Sequence, residues 1–235
     1  MNRKLILIIG IIILAIISGL VFYFFDQYHK TEPIEDSKEE IIRQIFTLTF
    51  INEDLDEELK QKYQRLFDPQ AKKFLDDPES VEAYWPLIKI GQVKELAGDY
   101  DGAVQALIWA GELQPKSYVV NGNLAHLYFR QYQDFAKAEE YYLKAIEPDG
   151  IQAANYYLDL HEIYRYFYKT DTNLAEDILK QGIERLPEET DLIAILAHYY
   201  KSLERYDEAR EYYQMMLEVN PDSQVAKDGL MSLEE

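Results

Sequence analysis

The chain has 235 residues, and its 43 Asp and Glu against 24 Lys and Arg give a formal charge of −19. Such a balance repels phosphate backbones and anionic headgroups, so nucleic acid is excluded as a partner and charge offers no route to a lipid surface. The lack of cysteine excludes disulfides, thiolate metal sites, thiol nucleophiles and thiol-linked lipid.

After a short N-terminus (residues 1–4), residues 5–25 read LILIIGIIILAIISGLVFYFF, with no charge. At ~1.5 Å per residue this run rises about 31 Å, the thickness of a bilayer's hydrocarbon core. It is long for a secretory h-region, and bulky Val21 to Phe25 stand where small residues would mark cleavage. An uncleaved transmembrane helix is therefore predicted. Arg3 and Lys4 precede the run, which places the N-terminus in the cytoplasm and the remainder across the membrane.

Residues 26–36 are polar, contain one proline and read as a tether. An N-terminal helical region follows at 37–83. Ser37 and Glu40 have the capping-box spacing and open a helix with Ile41, Ile42, Ile45, Phe46 and Leu48 along one stripe. A second helix carries Leu55, Leu59, Tyr63 and Leu66. Asp68-Pro69 and Asp77-Pro78 each read as a cap followed by proline at the first helical position. No segment alternates in the manner of a strand, so the class is all-α.

From residue 84 a pattern recurs. Tyr100, Ala103, Leu107, Ala110 and Pro115 have the spacing of Tyr206, Ala209, Tyr213, Met216 and Pro221. Phe135, Ala138, Tyr142 and Ala145 repeat most of it, as do Ala175, Leu179, Gly182 and Pro187. The alanine lets one helix approach another closely. Residues four and seven later stay on that face, and the proline ends the helix. Upstream stand the partner-helix residues: Ile90-Gly91, Leu124-Ala125 with Tyr128, Leu160 with Tyr164, and Leu196-Ala197 with Tyr200.

This pattern resembles the tetratricopeptide repeat, a 34-residue unit of two antiparallel helices. Four units fall at about 84–117, 118–151, 154–189 and 190–223, and 224–235 reads as a C-terminal cap helix. The resemblance is closest in the first and fourth units. The second has one extra residue between its helices and the third has two. The expected architecture is a transmembrane helix followed by an α-solenoid of such hairpins.

No catalytic, cofactor or metal site emerges. His161-Glu162 begins like a zinc-protease motif, but Arg165 stands where the second histidine belongs. His126 and His198 occupy equivalent places without a third ligand. Glycine-rich phosphate loops and Gly-x-Ser-x-Gly elbows are absent. Enzyme activity is not expected.

The resemblance implies a binding surface on the concave face of the first helices. Its inward positions carry over to Trp85, Ile88, Gln92 and Glu95; Val119, His126, Phe129 and Arg130; Leu158, Glu162, Arg165 and Tyr166; and Asp191, His198 and Lys201. Gln92, His126, Phe129, Arg130, Arg165, Tyr166, His198 and Lys201 form the expected peptide groove. The family's carboxylate clamp is not reproduced, since Ile88 and Gln92 hold two of its places. Arg130, Arg165 and Lys201 align across three units, either as an anchor for an acidic segment or free carboxylate, or as partners of nearby Glu and Asp. The implied function is a membrane-anchored scaffold holding a protein or peptide, in extracytoplasmic envelope assembly, secretion or pilus-type complexes. The alternatives are a cytosol-facing docking receptor for chaperones or precursor proteins, and a carbohydrate or small-ligand module.

Overall fold

A computed structural model of the protein describes residues 42–77, 83–148 and 154–234. The expected transmembrane run 5–25, the tether 26–36 and the Ser37/Glu40 capping box lie outside the described residues. No helix among the described residues is long and apolar enough to cross a membrane. The chain divides into two compact units, 1–47 and 48–235. In the first, the described part is a helical turn at 42–45, closed by the Phe46 N–H donated to the Ile42 carbonyl at 2.9 Å. Leu48, expected on that helix's stripe, falls beyond its end.

The second unit is a run of helices: α1 (Glu57–Asp76), α2 (Tyr84–Leu96), α3 (Tyr100–Leu113), α4 (Tyr118–Leu127), α5 (Phe135–Ile146), α6 (Ala154–Tyr166), α7 (Leu174–Arg185), α8 (Thr190–Ser202), α9 (Tyr206–Val219) and α10 (Gln224–Met231). A π-helical turn, Tyr128–Tyr132, continues α4. No strand occurs among the described residues. Helices α2/α3, α4/α5, α6/α7 and α8/α9 pack as hairpins, each hairpin packs on the next, α1 lies against α2, and α10 lies against α9.

Helix α1 corrects two expectations. Asp56 caps it, accepting from the Leu59 N–H at 2.8 Å, but the helix does not restart at Asp68-Pro69. It runs through Pro69. An interior proline costs about 3 kcal/mol, offset here by the buried residues Phe67, Ala71 and Phe74 on both sides of it. Asp68 accepts from the Gln64 amide at 2.5 Å and caps nothing. Leu66, expected on the inner stripe, is exposed. Asp77 is the C-cap of α1, and Pro78 lies outside the described residues.

The hairpins form because of the small residues in the repeated pattern. Ala103, Ala138, Ala175 and Ala209 are all buried, as are Leu107, Tyr142, Leu179 and Tyr213 four residues on. Against them lie Ile90, Leu124, Leu160 and Leu196, also buried. In the first hairpin a side chain on Gly91 would lie 2.9 Å from the Leu107 Cγ and 3.3 Å from the Ala103 carbonyl, so the helices touch backbone to side chain.

Each hairpin turns through one left-handed residue: Gly98 (φ 82°), Gln133 (φ 52°), Lys169 (φ 57°) and Glu204 (φ 58°). In the first and fourth, the next N–H closes on the carbonyl five residues back, Asp99 to Lys94 and Arg205 to Tyr200; in the third, the bond of that span comes from the residue before the left-handed one, Tyr168 to Ile163. In the second hairpin Asp134 reaches six back, to Tyr128, at 2.9 Å. The extra residue is absorbed by the π-turn, the usual way a helix accommodates a one-residue insertion. The third hairpin's two extra residues lie in the loop after Lys169. There the Thr172 hydroxyl donates to the Lys169 carbonyl at 2.6 Å and accepts from the Leu174 N–H at 3.3 Å.

Candidate ligand-binding face

The π-turn decides which side chains reach the first-helix face. In the other hairpins the fourth residue after the central Ile or Leu is buried and the fifth is more open: Lys94/Glu95, Tyr164/Arg165 and Tyr200/Lys201. In the second hairpin these roles pass to Phe129 and Arg130, the fifth and sixth residues after Leu124. The one-residue slip therefore brings Arg130 into line with Arg165 and Lys201. It also buries Phe129, which was expected to line the groove; at 4% exposure its ring instead supports the Arg130 guanidinium, 4.0 Å from its centre. Ile88, at 1%, is likewise a core residue.

The face residues meet the following hairpin in a regular series of contacts. His126 Nδ1 lies 3.3 Å from Glu95 Oε1. The hydrogen bond with Glu95 raises the imidazole pKa above its ordinary value, against an opposing effect of burial. Arg130 forms a two-pronged pair with Glu162, at 3.0 and 2.8 Å, and a further bond to Asp159 at 3.0 Å. Asp159 also accepts from the fully buried Tyr142 hydroxyl at 2.7 Å. Arg165 donates to the Ser202 hydroxyl at 3.0 Å and lies 5.0 and 5.1 Å from the ring centres of Tyr166 and Tyr199. Lys201 donates to the Ser232 hydroxyl at 2.6 Å, across to the segment that follows α10.

The remaining expected residues are local. Gln92 accepts from Lys89 at 3.1 Å. His198 donates its Nδ1–H to the Ala194 carbonyl at 2.8 Å and meets the Tyr213 ring edge-on. Tyr166 is 59% exposed and Trp85 56%. Trp85 and Val119 line a cleft of about 670 Å³ together with Pro115, Lys116 and Tyr118. Among the described residues no cluster of His, Cys, Asp and Glu could hold a metal. His161 is buried and its Nδ1–H is donated to the Ala175 carbonyl at 2.7 Å, so it joins α6 to α7. Burial depresses its pKa.

Two nodes were not anticipated. Glu139 accepts from the Tyr164 hydroxyl and from Lys169, each at 2.7 Å. Glu176 accepts from Tyr200 at 2.9 Å and from Lys180 and Arg205 at 2.6 Å. Burial pushes the Glu176 carboxyl up, but its three hydrogen bonds together hold it below the ordinary range. The sequence signal is a glutamate directly after the packing alanine, as in Ala138-Glu139 and Ala175-Glu176.

The family profile for the tetratricopeptide repeat matches residues 119–149 and 191–223, the second and fourth hairpins. Those two hairpins carry the tetratricopeptide repeat. No curated protein matches it. Among solved structures it is similar to MamA, with 20% identity and a TM-score of 0.54 over 71% of this chain and 96% of MamA. A second MamA structure gives 21% identity and a TM-score of 0.53, over 70% and 86%. YrrB, described as a TPR protein with an unusual peptide-binding site, gives 15% identity and 0.52, over 71% and 82%. At these identities the likeness concerns the fold, a tetratricopeptide-type helical solenoid.

Proposed function

We propose that the chain is a scaffold that holds a protein or peptide on the first-helix face of its tetratricopeptide repeats. The observation carrying this reading is the cross-braced row of Glu95–His126, Arg130–Glu162, Arg165–Ser202 and Lys201–Ser232. Such bracing fixes the face before a ligand arrives, which lowers the ordering cost of binding. Trp85 and Tyr166, both on first helices, stand exposed as ready aromatic contacts. The peptide-binding site named for YrrB supports the reading by analogy of fold.

The reading places residues 5–25 in a membrane as a single-pass anchor, with the N-terminus cytoplasmic and the repeats extracytoplasmic, serving envelope assembly, secretion or pilus-type complexes. Its support is the uncharged apolar run and the preceding Arg3 and Lys4. No catalytic role is assigned to any residue. The test is photo-crosslinking in cells from Trp85 and Tyr166, followed by mass spectrometry, with protease accessibility measured on the same cells. A defined protein partner recovered from both positions, with the repeats cleaved only from outside, is the expected result. Crosslinks scattered over several abundant proteins would count against the binding face, and protection of the repeats would overturn the topology.

A further inference from the structure

The cations of the first-helix face are not equivalent. Arg130 meets two carboxylates supplied by α6, Asp159 and Glu162. A 36-residue step carries Leu160 onto Leu196 in α8, and the same step carries Asp159 onto Ile195 and Glu162 onto His198. The helix that receives Arg165 therefore offers no carboxylate at the corresponding places. Arg165 contacts a hydroxyl there instead, and Lys201 contacts another. Among the described residues neither has a carboxylate partner, whereas Arg130, Lys169 and Arg205 on neighbouring parts of the hairpins all do.

We infer that Arg165 and Lys201 form a carboxylate-binding subsite at the C-terminal end of the first-helix face, and that its ligand is an acidic segment of a polypeptide, engaged through Asp or Glu side chains. The inference rests on the peptide-binding reading above. Arg165 is held between the Tyr166 and Tyr199 rings, which orient its planar fork without neutralising it. A fork so placed takes a carboxylate through two parallel hydrogen bonds. Lys201 adds a point charge one hairpin on, and the Ser202 and Ser232 hydroxyls are released or shared when the carboxylate arrives. The nearest acid on α6, Glu162, is already engaged by Arg130. Arg165 and Lys201 thus keep charges that no carboxylate among the described residues pairs with, on a chain whose net charge is −19, which favours an anionic segment at this place.

The test uses the full chain, solubilised in mild detergent and immobilised, panned against random dodecapeptides on beads, acetylated at the N-terminus and amidated at the C-terminus. The expected result is selection of peptides enriched in Asp and Glu. In the Arg165→Gln/Lys201→Gln variant those peptides should bind about tenfold or more weakly, while Arg130→Gln retains the enrichment. Arg165→Lys keeps the charge and loses the fork, so a folded Arg165→Lys protein with weakened binding separates recognition from folding. Selected peptides without acidic enrichment, or enrichment that survives the double variant, would overturn the subsite and leave peptide binding standing. A library that yields no binder would overturn both readings. A parallel library with free C-termini that binds irrespective of side-chain acids would replace the side-chain carboxylate by the terminal one and overturn the choice made here.

Discussion

The junction between the second and third hairpins and that between the third and fourth use the same geometry to different ends. At the first, Arg130 is closed off by Asp159 and Glu162, and Asp159 also serves Tyr142. At the second, among the described residues, Arg165 has only a hydroxyl and two ring faces. One cation belongs to the scaffold and the other remains available, although both occupy the same place on successive first helices. A row of like residues in a repeat array is therefore not a site in itself. What the next helix supplies decides each member's role.

The sharpest way to break this contrast is Asp159→Ala. It leaves the Tyr142 hydroxyl without an acceptor in a fully buried position and removes one of the Arg130 partners. Losing an acceptor under a buried hydroxyl, with a half-exposed ion pair weakened beside it, should cost about 2–3 kcal/mol. Urea unfolding at neutral pH would measure it. Ser202→Ala at the open junction should cost less than about 0.5 kcal/mol, because the two hydrogen bonds it removes, from Arg165 and to the Tyr199 carbonyl, are both exposed to water. Equal losses at the two junctions would show that the bracing is not asymmetric.

Next in size is the acid limb of stability. Glu176 has its folded pKa held below the ordinary carboxylate value by Lys180, Tyr200 and Arg205, despite burial. A depressed folded pKa contributes stability that is present above the unfolded value, about 4.3, and is lost as pH falls through the folded value. Glu176→Gln should therefore be less stable than the parent at pH 7 and should lose less on acidification from about pH 4.5 downward. A parallel acid limb in parent and variant, read by thermal unfolding across that range, would remove Glu176 from the brace between the third and fourth hairpins.

The hairpins were legible because packing alanines are a local signal. Ala103, Ala138, Ala175 and Ala209 recur in the sequence and all prove buried. The alignment of Arg130 with Arg165 and Lys201 was legible too, but its consequences were not. Placing a one-residue insertion in a π-turn and not in the loop depends on how α4 packs, and that choice is what buries Phe129. The continuation of α1 through Pro69 was hidden for a similar reason: proline signals a break locally, and the burial of Phe67 and Phe74 overrides it. The partners of the face cations lie 29 to 37 residues away, so they emerge only once the register between neighbouring hairpins is known.

The smallest effect belongs at the first junction, where the brace is a histidine. His126 faces Glu95, with Asp159 and Arg130 also acting on it, and the hydrogen bond with Glu95 raises its folded pKa. A raised folded pKa gives stability that is complete below the unfolded value, about 6.5, and is lost as pH rises through the folded value. The imidazole is half exposed, so solvent screening limits the gain to a few tenths of a kcal/mol, roughly 0.2–0.5. His126→Gln should accordingly be slightly less stable than the parent at pH 6 and indistinguishable from it at pH 9. NMR titration of the imidazole in the parent, compared with Glu95→Gln, reads the same coupling directly. An unchanged histidine titration in Glu95→Gln would show that the first junction is held by packing alone, leaving the Arg130 network as the charged brace that sets the face.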